Sequence, residues 1–247
     1  MSTPRGATVN VLLTGDGEKA SANLMLLVGG SGVIRLNPDL PGTRHRNFLT
    51  RSRHLFAAGG YLAASVDAPS DRLSKDGLAG FRMTADHADD LAAVARALAA
   101  RNGKPVVVVG TSRGSVSAGN AAIRLGPDIV RAAVLSSSLT DRAGKPDSLK
   151  EMNMADARIP VFFLHNRGDK CRWTPLSSVE QIRSGMVKAG RTADLAVLES
   201  THADADNPCW ALTPHGFQGI EQQAVDAILV WIGSQLAARP DGIVTPR

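Results

Sequence analysis

Apolar residues along this chain fall into two alternating kinds of pattern. The first kind is short. Residues 8–13 (TVNVLL) alternate apolar and polar side chains, as a half-buried strand does. Residues 24–28 (LMLLV), 61–66 (YLAASV), 106–109 (VVVV), 132–138 (AAVLSSS), 161–165 (VFFLH) and 195–199 (LAVLE) are apolar-rich runs of strand length. The second kind is longer and carries apolar positions at helical spacing. FLTRSRHLFAAGG predicts a helix stopped by glycine. DHADDLAAVARALAARNG predicts one with acids in its first turn, basic residues near its end and Asn-Gly after it. SVSAGNAAIRLG and the amphipathic IEQQAVDAILVWIGSQLAA predict two more.

Strands that alternate with helices imply βαβ units. The expected fold class is α/β, a mostly parallel central sheet flanked by helices on both faces. Only about twenty residues separate the runs at 132–138 and 161–165, too few for a large cap domain. The length, 247 residues, suits one domain over 1–247.

Composition narrows the function classes. Apolar residues make up 43% of the chain and charged residues 21%, an ordinary globular balance. The net charge of +5 raises a nucleic-acid reading. The densest basic group, Arg44, Arg46, Arg51 and Arg53 with His45 and His54 interleaved, is expected on a surface helix, and aromatic residues for base stacking are only 4% of the chain. No nucleic-acid partner is expected from so scattered a footprint. No apolar run reaches the roughly 18 residues of a membrane helix, so no membrane span is expected. The opening MSTPRGATVNVLL lacks a charged segment followed by an apolar stretch and a cleavage site, so no signal peptide is visible, and a mature form with its leader removed stays open.

One stretch carries chemistry. VVVVGTSRGSVSAG runs from a buried strand through Gly110-Thr111-Ser112-Arg113-Gly114 into a helix. Gly-x-Ser-x-Gly in that context is a nucleophile elbow. The turn holds the serine in an unfavourable backbone conformation so that its hydroxyl stands clear. The glycines avoid collisions within the turn. The following helix aims its N-terminal N–H groups at the site.

In this strand–turn–helix context a nucleophilic serine is followed in the chain by an acid and then a histidine. Asp169, in VFFLHNRGDKC, lies just past an apolar strand and is the expected acid. Two histidines follow the last strand. His215, shaped by Pro214 and Gly216 and just ahead of the final helix, is favoured over His202 in ESTHADAD. His165, at a strand end, reads as a packed structural histidine.

Cys171 stands two residues after Asp169 and Cys209 six before His215. A bond between them would staple the acid loop to the histidine loop and close about 38 residues, worth about 3–4 kcal/mol in the chain-entropy model. The other reading is two unpaired thiols. A disulfide implies an oxidising compartment, periplasmic or secreted; without it the expectation is cytoplasmic.

The backbone N–H of Arg113 is one expected oxyanion donor. The second comes from the glycine loop LLVGGSGV, with Ser31 as the candidate and Gly30 beside it. The side chain of Arg113 either attracts an anionic substrate or packs inward. Trp173 and Trp210 either line the entrance or pack the two loops. A dinucleotide site is disfavoured, because the Gly30-Ser31-Gly32 loop lacks the third glycine at the needed spacing and no phosphate-loop motif occurs, so no cofactor is expected. No metal is expected either: DHADD (86–90) and HADAD (202–206) hold ligand types, but no His-Glu-x-x-His is present.

Together the GGSG loop, the GTSRG elbow, Asp169 after a late strand and a histidine before the final helix resemble the α/β-hydrolase superfamily, from residue 8 to about 238. HNRGDKCRWTP and NPCWALTPHGF look like segments of small cap-less bacterial serine hydrolases. Cutinase-like and polyester-hydrolase enzymes similarly staple their acid and histidine loops. Val28 and Gly29 stand where the lipase pattern places a histidine before the oxyanion glycines. The resemblance implies a carboxylesterase acting on a small-molecule or exposed ester, with Ser112, His215 and Asp169 as triad. The alternatives are a peptidase or thioesterase on the same triad, or a binding protein that keeps the fold.

Overall fold

The computed structural model describes residues 1–36, 46–141, 147–200 and 206–238. Seven strands form one sheet in the order β1-β3-β2-β4-β5-β6-β7. They are β1 (Val11–Thr14), β2 (Asn23–Leu27), β3 (Leu62–Val66), β4 (Val106–Thr111), β5 (Ala132–Ser136), β6 (Val161–Asn166) and β7 (Ala193–Leu198). β1 pairs antiparallel with β3, and every other pair is parallel. The helices are α1 (Phe48–Arg51), α2 (Arg53–Ala58), α3 (Ala85–Asn102), α4 (Gly114–Arg124), α5 (Leu176–Lys188) and α6 (Glu221–Ala237). No large cap is present among the described residues.

Side chains alternate across each strand, so every central strand feeds two cores. Val106 and Val108 of β4 pack with Met25, Leu27, Ala133 and Phe163 against α3, α4 and α5. Val107 and Val109 pack with Leu24, Leu26, Val134 and Leu164 against α1, α2 and α6. A sheet covered on both faces needs apolar residues at consecutive positions, which explains the unbroken valines. The ends of α3 follow its sequence signals. Thr84 accepts the His87 N–H at 3.1 Å, and Gly103 closes the helix in the left-handed region at φ 69°.

Four differences from the sequence pattern stand out. The first strand starts at Val11, because Thr8 and Val9 are used elsewhere: Thr8 bridges Ser2, and the Val9 N–H donates to the Met1 carbonyl. FLTRSRHLFAAGG forms two short helices that meet at Ser52, and Arg51 turns inward rather than onto a surface helix. The run at 132–138 stops pairing at Ser136, and Ser137 turns to φ 40°. Helix α5 was not anticipated at all.

The sheet order places β2 beside β4, so the glycine loop after β2 and the turn after β4 share one edge. This adjacency is very close. A Cβ on Gly114 would run into the Leu27 carbonyl oxygen and lie 2.8 Å from that of Val28. A Cβ on Gly110 would run into the Gly114 carbonyl. Gly114→Ala must therefore push the turn off β2. It is expected to destabilise by about 1–3 kcal/mol, read as a lower urea midpoint at unchanged slope.

Candidate active site

Ser112 follows β4 directly. Its φ of 53° is the left-handed region, which residues with a Cβ rarely occupy. Its N–H donates to the Ser136 carbonyl on β5 at 3.0 Å, which ties the strained residue to the neighbouring strand. Gly29 backs onto it: a Cβ there would lie 2.9 Å from Ser112 Cβ and 3.1 Å from the Thr111 carbonyl. The loop Gly29-Gly30-Ser31-Gly32 closes through a Gly32 N–H to Gly29 carbonyl bond of 3.1 Å, with Gly30 and Gly32 at positive φ. Gly29, Gly30, Ser31, Ser112 and His215 all line one cavity of about 390 Å³.

Asp169 and His215 meet. The turn after β6 carries Asp169, whose side chain is wholly buried. Oδ1 accepts the Cys171 N–H at 2.9 Å. Oδ2 accepts the Thr174 hydroxyl at 2.9 Å and faces His215 Nδ1 at 2.9 Å. A carboxylate only accepts hydrogen bonds, so Nδ1 carries the imidazole proton and Nε2 is the ring's acceptor. No hydrogen bond joins Ser112 to the imidazole, although both line the same cavity. His202, the competing histidine, lies outside the described residues.

His215 sits on a single 3₁₀ turn (Pro214–Gly216), and its neighbours hold it in place. Thr213 caps the turn by accepting the His215 N–H at 3.1 Å. The Ser137 hydroxyl donates to the His215 carbonyl at 2.7 Å. Asn166, at the end of β6, donates to the Pro214 carbonyl at 2.9 Å. Arg51 reaches the carbonyls of Ala211 and Gly216 and pairs with Glu221 at 2.9 Å. Phe217 follows at φ 58°, fully buried, with its ring centroid 4.9 Å from that of Phe48. Cys171 and Cys209 form a disulfide. Their bond links the segment whose N–H holds Asp169 to the segment that leads into His215.

Other residues singled out in the sequence fall as follows. The Arg113 side chain packs inward and pairs at 3.5 Å with buried Asp147, whose Oδ2 also accepts the Gly80 N–H at 2.7 Å. Trp210 lines the cavity, whereas Trp173 stacks under the Arg172 guanidinium, 4.2 Å from its ring centroid. His165 is 1% exposed, and its ring nitrogens bond no described residue. Burial pushes its pKa down, which keeps the packed ring neutral. Of the acidic run at 86–90, Asp90 pairs with Arg5 at 2.6 Å.

One buried group was not foreseen. Arg82, 1% exposed, donates to Ser117 of α4 at 2.8 Å and to the Val28 and Gly30 carbonyls at 3.4 and 3.3 Å. It therefore joins the glycine loop to the helix behind Ser112. His87 lies 2.9 Å from the same Ser117 hydroxyl, and burial drives its pKa down to about 3, with the charges of Arg82 and Arg5 acting in the same direction.

Because the disulfide joins loops from distant parts of the chain, Cys209→Ser is expected to cost about 2–4 kcal/mol of unfolding stability. Chemical denaturation with and without reductant checks this: the wild type should fall to the variant's midpoint on reduction, and the variant should not respond.

By sequence, no protein-family profile and no curated protein matches the chain. Solved structures match by shape. An esterase of Pyrococcus furiosus aligns with a TM-score of 0.64 at 13% identity, over 96% of this chain and 88% of that one. An esterase from a Rhodococcus species aligns with a TM-score of 0.62 at 14% identity, over 95% and 98%. A puromycin-hydrolysing peptidase of Mycobacterium tuberculosis aligns with a TM-score of 0.65 at 15% identity, over 98% of this chain and 39% of that one. The sheet order, the turn after β4 and this likeness along the chain agree: the protein has the α/β-hydrolase fold.

Proposed function

We propose that the protein is a serine hydrolase of carboxylic esters, with Ser112, His215 and Asp169 as its triad. The observation that carries this reading is the strained serine at φ 53° facing the same cavity as a histidine held by a buried carboxylate. Ser112 Oγ bonds to the acyl carbon while His215 Nε2 takes the hydroxyl proton. The charged imidazolium is balanced by Asp169. The tetrahedral oxyanion collects the N–H groups of Arg113 and of Ser31 or Gly30. As the carbon–oxygen bond breaks, His215 returns the proton to the leaving alcohol. Water then attacks the acyl-enzyme by the same route and restores Ser112.

The absence of a large cap among the described residues suits an accessible ester. The esterase structures similar in fold favour ester over amide substrates, and the peptidase among them keeps a second reading open. A fluorophosphonate probe and p-nitrophenyl esters from acetate upward test the proposal. Wild type is expected to be labelled and to turn over esters; Ser112→Ala is expected to lose both, by about 10⁴-fold or more in kcat. A folded wild type that neither labels nor hydrolyses any ester would move the weight to a binding role.

Arg82 gives a finer test. Its hold on the Val28 and Gly30 carbonyls fixes the loop that supplies the second oxyanion donor. Arg82→Met is expected to lower kcat by about tenfold or more with little change in KM. Arg82→Lys should recover part of the loss. A parallel loss of melting temperature with kcat and KM unchanged per folded molecule would make Arg82 purely structural.

A further inference from the structure

The cavity beside Ser112 is unevenly charged. Among the described residues, no carboxylate lines it. Apart from His215, the only ionisable side chain among its described lining residues is Arg46. The positive N-terminus of α4 points toward it as well. This cation differs from the arginines around it. Arg51 is committed to Glu221 and three carbonyls, Arg82 to Ser117 and the glycine loop, Arg113 to Asp147, and Arg172 to the ring of Trp173. The guanidinium of Arg46 makes no hydrogen bond or ion pair with a described residue, and the residue is exposed. Its backbone is nonetheless fixed. The Arg46 carbonyl accepts from Arg51 Nη1 at 2.8 Å, and the next residue, Asn47, caps α1 by accepting the Leu49 N–H at 3.1 Å. The same cavity presents Trp210, 55% exposed, as a broad apolar surface.

We infer that this site selects esters that carry a second, ionised carboxylate, which Arg46 recognises while the hydrocarbon part lies against Trp210. The inference rests on the hydrolase reading for its reaction, but the recognition itself is a binding event. A planar guanidinium presents two parallel N–H donors that match the two oxygens of a carboxylate. Described walls that carry no carboxylate do not repel that anion, and a partly enclosed cavity weakens the screening that makes exposed pairs feeble. The volume of about 390 Å³ suits a small half ester of a dicarboxylic acid. Such a product is an alcohol plus a dicarboxylate.

The test measures binding on Ser112→Ala, where no turnover intervenes. 4-Nitrophenyl hydrogen glutarate and its neutral methyl ester are titrated by calorimetry into this variant and into Ser112→Ala with Arg46→Gln. The half ester is expected to bind about tenfold more tightly than the neutral ester, a preference reduced by 0.5 M salt and abolished by Arg46→Gln. Equal binding of the two esters, or a preference that survives Arg46→Gln, would overturn the assignment. Failure of wild type to hydrolyse either ester, with the binding preference intact, would instead sink the hydrolase reading and leave Arg46 as an anion-recognising group.

Discussion

The close contact between the turn after β4 and the end of β2 governs the rest of this molecule. Gly114 sits where any side chain would strike the carbonyls of Leu27 and Val28, and Gly110 sits against Gly114 itself. The chain can turn there only by placing Ser112 at φ 53°, held by a bond to the Ser136 carbonyl. Strain of this kind persists only where the surroundings over-determine it. Here the surroundings are two central strands, buried on both faces, and a helix that starts two residues later. The same contact brings the glycine loop against the serine, so two backbone segments that could receive an oxyanion are positioned by one packing constraint.

The histidine segment answers a different problem. It lies far along the chain from β4, on a single 3₁₀ turn with no regular element to fix it. Its position comes from outside: Ser137 from the end of β5, Asn166 from the end of β6, Arg51 from α1, and the disulfide from the acid loop. Three of these are bonds to main-chain carbonyls of the segment itself, which fix its backbone directly. The acid loop is built in the same way. Asp169 accepts from Cys171, Thr174 and His215, so its buried carboxylate is satisfied on both oxygens. The cysteine that forms the staple also supplies one of those donors.

Much of this was readable in the sequence, because it is written locally. The seven apolar runs map onto the seven strands, and the Gly-x-Ser-x-Gly turn, Asp169, His215 and the cysteine pair are each visible in a few consecutive residues. What escaped is of two kinds. Helix α5 has a faint stripe, Leu176, Val179, Ile182 and Met186, diluted by serines and a glycine, and it buries little more than Ser178, Val179 and Met186. The supporting groups Arg51, Ser137, Asn166 and Arg82 act over separations of 35 to 170 positions, and no local pattern marks an arginine as inward-facing. Arg51 illustrates this. In the sequence it belongs to a basic cluster that reads as a solvated surface. In the fold its partners are two carbonyls of the histidine segment and a glutamate of α6, and burial pushes its pKa down while Glu221 pulls it back up.

That contrast bears on how the basic residues should be counted. A net charge of +5 describes the chain, not the field at the cavity. Arg51, Arg82 and Arg113 lie near the cavity, yet each is spent on holding backbone or neutralising a carboxylate. A guanidinium serves this role well because its five donors satisfy several carbonyls at once and its charge is not lost on burial. Once these are set aside, the positive character of the cavity among the described residues reduces to the helix N-terminus behind Ser112 and the side chain of Arg46. On the proposed reading, the first meets charge that develops during acyl transfer, and the second meets a carboxylate elsewhere on the substrate. The proposed reaction and the proposed selection thus call on separate groups, and the Arg46 side chain takes no part in the packing that strains Ser112.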